Sequence, residues 1–154
     1  IYIFDTLVKN NTPEQVASVV AHEAGHWKHH HVLKGIILGF IGSLIMAYLL
    51  FITYPTIVNI SIKDIAGLPV LILIMTVYSF FLNPIENTVS RKFEVTADTY
   101  ELKATGKNDI FIKSMVQLAK DNRAFLYPHP VITFWYATHP PMLDRIKMAE
   151  NFKL

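Results

Sequence analysis

Residues 35–54 read GIILGFIGSLIMAYLLFITY, twenty positions without a charge. A helix of that length, rising about 1.5 Å per residue, spans the roughly 30 Å hydrocarbon core of a bilayer. The run is broken by PTIVNISIKDIAG, which carries Pro55, Lys63, Asp64 and Gly67. A second apolar run follows from Leu68 to Leu82; it is short for a span, but uncharged flanks extend it. Together the runs predict a transmembrane helical hairpin at about 33–54 and 67–85. Two buried helices of a soluble protein are the alternative, and the uncharged length of the first run argues against it. Lys28 and Lys34 precede the first run, Arg91 and Lys92 follow the second, and the turn between has Lys63 beside Asp64. By the positive-inside tendency both outer ends face the cytoplasm.

The bulk composition agrees. Of 154 residues, 52% are hydrophobic and 17% charged, against a charged share of about 25% in ordinary globular domains. A net charge of +2, with no basic stripe interleaved with aromatics, gives no support to nucleic-acid binding. The absence of cysteine excludes disulfides, thiol nucleophiles and cysteine-ligated zinc, so a transition metal would have to be held by histidine and carboxylate. The chain begins at Ile1 with neither a methionine nor a signal-peptide pattern. The expectation is a fragment of a longer multi-pass membrane protein, with residues 1–154 forming a single domain that contains the hairpin.

Around the hairpin the local signals are mostly helical. Residues 1–10 suggest a short extended segment. Thr12 is a good N-cap, Pro13 suits the first helical position, and Gln15 completes a capping box, so a helix should start near residue 13 and continue into HWKHHH. After Pro84 a polar helix should end at Gly106, and an amphipathic one should run from Asp109 to about Arg123. FLYPHPVITFWYATHPP (125–141) reads as a loop, and PPMLDRIKMAENF as a short terminal helix. The expected fold is mainly all-α: an integral-membrane helical protein whose hairpin lies between the helix bearing residues 22–27 and the polar helix bearing residues 90–98.

The chemistry is concentrated in VVAHEAGHW (19–27). His22 and His26 are four apart, so on a helix both imidazoles lie on one face and can reach one ion. Glu23 is placed to approach a metal-bound water as general base, the arrangement of zinc metalloproteases. A catalytic zinc usually has three protein ligands and an open position. Glu94, just past the second span and on the same membrane side as the histidines, is the candidate third ligand. Asp98, four residues on, could accept the outer N–H of a ligand histidine. A solvated charged face beside Arg91 and Lys92 is the competing reading of that pair. His29, His30 and His31 read as interfacial, with metal binding as a minor alternative, and His129 as structural or exposed. His139 precedes two prolines at a loop-to-helix junction, where it could stabilise an oxyanion or simply cap or pack.

FDTL (4–7), HEAGHW (22–27), SRKFEVTAD (90–98) and HPPMLDRI (139–146), in this order around the hairpin, resemble the C-terminal catalytic half of the type I CAAX prenyl proteases. FDTL favours that family over the related heat-shock membrane protease HtpX, a quality-control enzyme that shares the histidine motif and the S-R-x-x-E-x-x-A-D pattern. The resemblance implies one zinc ion held by His22, His26 and Glu94, with Glu23 as general base. It implies Asp98 behind the ligands, His139 at the substrate carbonyl or its oxyanion, and Arg145 supporting the site or the substrate. It also implies peptide or protein substrates, with prenylated carboxyl-terminal peptides among the candidates, and a bacterial plasma membrane or endoplasmic reticulum membrane as home. A non-catalytic membrane module with a structural metal is the reading of another class.

Overall fold

The capping box at Thr12 forms as expected: the Thr12 N–H donates to Gln15 Oε1 at 2.9 Å and the Gln15 N–H to Thr12 Oγ1 at 3.3 Å. In this computed structural model, which describes residues 8, 9 and 11–153, the helices are α1 (Pro13–Lys28), α2 (His31–Ile57), α3 (Leu68–Thr105), α4 (Asn108–Asp121), α5 (Pro130–Tyr136) and α6 (Met142–Asn151), with a 3-10 turn at Ile65–Gly67. No strand occurs among the described residues, so the all-α expectation holds. FDTL and most of the expected extended start lie outside the described residues; Val8 and Lys9 are helical.

Three local readings change. Pro55 does not end the first apolar helix, which continues to Ile57. Pro84 does not separate two helices either: α3 is continuous for 38 residues. A proline inside a helix forfeits one hydrogen bond and crowds the preceding turn, and here the apolar and polar flanks are both strong enough helix formers to continue through it. The expected loop at 125–141 contains α5. His129 caps it, its Nδ1 accepting from the Val131 N–H at 3.3 Å, and Pro130 occupies the first helical position.

The chain divides into two compact units, Val32–Ile85 and the combination of Ile1–His31 with Glu86–Leu154. In the first, α2 and the apolar part of α3 turn their large side chains outward: Phe40, Tyr48, Phe51, Leu73 and Phe81 are all more than 60% exposed. Both helices are long and apolar enough to cross a membrane. Thr53 and Tyr78 hydrogen-bond through their hydroxyls, tying α2 to α3. Tyr54 is buried over Gly67, where a Cβ would fall 2.0 Å from the tyrosine oxygen. A side chain at position 67 would have to displace the Tyr54 hydroxyl.

In the second unit, α4 packs against α6 and α1. Phe111 and Met115 on α4, Ala149 on α6 and Leu102 on α3 form a buried cluster, flanked by Ile112, Met142, Ile146, Met148 and Phe152. Each large apolar side chain removed from water contributes about 1.5–3 kcal/mol. Asn108 closes the end of α6 by donating to the carbonyls of Ala149 and Phe152, each at 2.9 Å. Gly106, at φ 62°, ends α3 in the left-handed conformation expected of a glycine C-cap.

α1 meets α3 at Gly25. A Cβ there would stand 3.0 Å from Ala97 Cα, 3.1 Å from the Ala97 carbonyl oxygen and 3.1 Å from Tyr100 Cβ. Two of those three neighbours are backbone, which cannot rotate away. Gly25→Val is therefore expected to destabilise the protein by about 1–3 kcal/mol, the usual cost of overpacking, despite leaving the histidines untouched. Thermal unfolding checks this; an unchanged midpoint would mean that the two helices do not meet this closely.

Candidate metal centre

On α1, Ser18, His22, Gly25 and His26 share one face by helical spacing; on α3, Glu94, Asp98 and Glu101 share another. The contact at Gly25 sets these faces against each other. His22 Nε2 and His26 Nε2 come within 3.1 Å. Glu94 completes the group, with Oε2 3.4 Å from His22 Nε2 and Oε1 3.4 Å from His26 Nε2. His139, exposed beside them, places Nε2 3.5 Å from Glu94 Oε1 and Nδ1 2.8 Å from the Thr138 hydroxyl. Glu23 lies next to His22 on the exposed side of α1.

Behind the histidines the carboxylates are almost completely buried. Asp98, 0% exposed, lies with Oδ1 2.9 Å from His22 Nδ1. It also accepts two hydrogen bonds from Arg145, Nε to Oδ2 at 2.7 Å and NH2 to Oδ1 at 2.6 Å. This bidentate pairing suits the planar guanidinium and holds the carboxylate in one orientation. Arg145 also reaches within 3.9 Å of Glu94 Oε2. Burial alone would depress the guanidinium, but the contact with Asp98 outweighs it and raises its pKa. Glu101, also buried, accepts a short hydrogen bond from Ser18 and lies 3.7 Å from His22 Nδ1. Burial disfavours the charged form of His22, yet Asp98 and Glu94 overcome it and push the imidazole up to about 9. His26 goes the other way: burial lowers it more than Glu94 raises it.

This donor set fits a metal of the zinc type. Ligand atoms about 2.0–2.1 Å from a tetrahedral ion lie roughly 3.3–3.4 Å from one another. The three separations among His22, His26 and Glu94 are 3.1, 3.4 and 3.4 Å. Two imidazole nitrogens and a carboxylate turned towards one point make poor partners for each other and good ones for a cation. The carboxylates around His22 favour positive charge in the same place, whether a proton or a metal supplies it.

The sequence-derived candidates His22, His26, Glu94, Asp98, His139 and Arg145 are thus brought together, with Glu23 at the rim. Sequence reasoning did not place five others here. Glu101 continues the Glu94–Asp98 face by one further turn, a spacing that could have found it. Ser18 stands one turn before His22 in the same way. His31 was read as interfacial and is instead buried, 5% exposed. Arg91 was read only as a charge flanking the membrane; its NH1 donates to the carbonyls of Thr133 (2.8 Å) and Ala137 (2.6 Å), and its NH2 to the Thr88 hydroxyl (2.7 Å). With Asn87, which donates to the Trp135 carbonyl at 2.7 Å, it fastens α5 and the segment leading to His139. Nothing in the sequence marks those backbone partners. A cleft of about 730 Å³ opens along this segment, lined among others by Arg91, Val95, Tyr127, Phe134, Pro140 and Pro141.

A helical fold with a histidine–carboxylate donor set at one end of a polar helix pair defines the metallopeptidase class as the comparison to make. The chain belongs to peptidase family M48, whose model matches residues 1–153. The CAAX prenyl protease 1 homolog of Mus musculus is 28% identical over 91% of this chain and 31% of its own length. An uncharacterized metalloprotease of Bacillus subtilis (strain 168), YhfN, is 28% identical over 98% of this chain and 37% of its own length. The crystal structure of S. mikatae Ste24p superposes with a TM-score of 0.78 at 23% identity, covering 94% of this chain and 37% of that one, and shares its fold. The chain spans about a third of the length of the curated relatives it matches. The resemblance to the type I CAAX prenyl proteases is borne out.

Removing the Arg145 charge should be costly, because Asp98 would keep a carboxylate 0% exposed without its bidentate partner. Arg145→Met is expected to lose about 3–5 kcal/mol, the range for breaking a buried pair on one side. Chemical denaturation reads this directly, and a loss under about 1 kcal/mol would show that Asp98 is not held by Arg145.

Proposed function

We propose that this chain is the catalytic part of a zinc-dependent membrane endopeptidase, with His22, His26 and Glu94 as the metal ligands. The supporting observation is the convergence of three donor atoms at 3.1–3.4 Å, with Glu23 adjacent to His22 in the chain and His139 Nε2 3.5 Å from Glu94. A zinc ion bound there would supply water acidified towards neutrality and polarisation of the scissile carbonyl. Glu23 is the general base: its exposed carboxylate takes the proton of the attacking water and returns it to the leaving amine. His139, held by the segment that Arg91 and Asn87 fasten, donates from Nε2 to the oxyanion that develops on the carbonyl. Asp98 takes the Nδ1–H of His22 and so keeps Nε2 as the donor. No covalent intermediate with the protein is needed, in keeping with a chain that has no cysteine.

The outward apolar faces of α2 and the first part of α3 belong in lipid, as a hairpin of about 33–54 and 67–85 within a single catalytic domain that is part of a longer protein. The positive flanks put the centre on the cytoplasmic side. The cleft beside His139 is a fitting place for an extended peptide. Relatives named CAAX prenyl protease 1 make prenylated carboxyl-terminal peptides the first substrates to try. An unfolded membrane protein is the substrate class that would point to quality control instead.

Two variants separate the base from the ligands. Glu23→Gln should retain one zinc per chain while peptide cleavage falls by about 10²–10⁴-fold. Glu94→Ala should lose the metal itself, as measured by elemental analysis after dialysis. Full cleavage by the first variant, or a full zinc complement in the second, would contradict the assignment.

A further inference from the structure

His31 stands outside the donor set, yet it is 5% exposed and placed with care. Its Nδ1 lies 3.0 Å from Nδ1 of His26, with the two rings edge to face at 80°. Its ring stacks on Phe93, with centroids 4.3 Å apart and planes within 7°, and His29 stacks with it at 5.7 Å and 23°. Phe93 immediately precedes Glu94, so the turn of α3 that offers the carboxylate also holds this imidazole. The turn between α1 and α2 puts it there. His29 closes α1, His30 adopts the left-handed conformation at φ 55°, and His31 is the first residue of α2. Histidine tolerates that conformation better than most residues.

The protons then follow from geometry. His26 turns Nε2 towards His22 and Glu94. A neutral imidazole that binds a metal through Nε2 carries its hydrogen on Nδ1, and that N–H needs an acceptor. The Nδ1 of His31 lies at hydrogen-bonding distance, and with its own hydrogen on Nε2 it offers a lone pair. We propose that His31 is a positioning residue for the metal centre: it accepts the Nδ1–H of His26, fixing the tautomer and ring orientation that present Nε2 to the metal. It does for His26 with a neutral imidazole what Asp98 does for His22 with a carboxylate. The proposal rests on the reading of His26 as a ligand.

The test measures metal binding in the purified, metal-loaded protein. Zinc affinity is read by competition with a chromophoric chelator, and the geometry of the centre by the visible bands of the Co2+ form. His31→Phe keeps a ring to stack on Phe93 but removes the acceptor; His31→Asn keeps an acceptor near the position of Nδ1. His31→Phe is expected to weaken zinc by about 10–100-fold and to shift the Co2+ bands, and His31→Asn to recover most of both. If His31→Phe binds zinc and Co2+ like the parent protein while His26→Ala loses the metal, the role of His31 is overturned and the ligand reading stands. Undiminished metal in His26→Ala overturns both. A loss in His31→Phe that His31→Asn does not recover makes the residue a packing element and overturns its role as acceptor.

Discussion

The close contact of α1 with α3 at Gly25 and Ala97 is the constraint on which the rest of the site depends. With a Cβ at position 25 meeting backbone at 3.0–3.1 Å, the helices could not approach as they do. At that separation the imidazoles of His22 and His26 fall on the carboxylate of Glu94 and not on solvent. The glycine inside HEAGH is therefore as much a part of the centre as the histidines. It contributes no donor atom; it sets the distance between the donor atoms of the two helices.

Bringing helices together in this way buries charge, and the structure compensates residue by residue. Asp98 is matched by Arg145 in a bidentate pair and Glu94 by the surrounding imidazoles; Glu101 has the Ser18 hydroxyl at one oxygen only, and burial pushes its carboxyl up to about 7, towards the neutral form. A buried carboxylate without such partners would be several kcal/mol less favourable. The pairing also links the site to the apolar core. Arg145 is carried by α6, which is anchored through Ile146, Ala149 and Phe152 to the cluster around Phe111. Packing in that cluster thus fixes the guanidinium, which fixes Asp98 beside His22.

The helices and the paired histidines were legible in the sequence because each is written in local spacing, whereas Glu94 entered as a candidate through the hairpin and the family resemblance. The Thr12 capping box forms, the i,i+4 histidines and the Glu94–Asp98 step lie on helices, and the run at 35–54 is helical throughout. What was not legible depends on partners that carry no side-chain signature. Arg91 works through the carbonyls of Thr133 and Ala137, which any residues would offer. The helix at 130–136 was hidden because prolines on both sides suggested a loop, although Pro130 is well suited to start a helix. His31 was taken with its two neighbours as one polar cluster. The left-handed turn at His30 separates them and sends His31 inward, a backbone event that composition does not show.

Zinc K-edge absorption fine structure on the purified metal-loaded protein tests the central assignment most directly, because it counts imidazoles around the ion without relying on activity. Ligation by His22, His26 and Glu94 predicts two imidazoles with nitrogen at about 2.0–2.1 Å, the remaining positions being filled by oxygen. Three or more imidazoles would draw His139 or His31 into the coordination sphere and contradict it, as would a protein that takes up no stoichiometric metal.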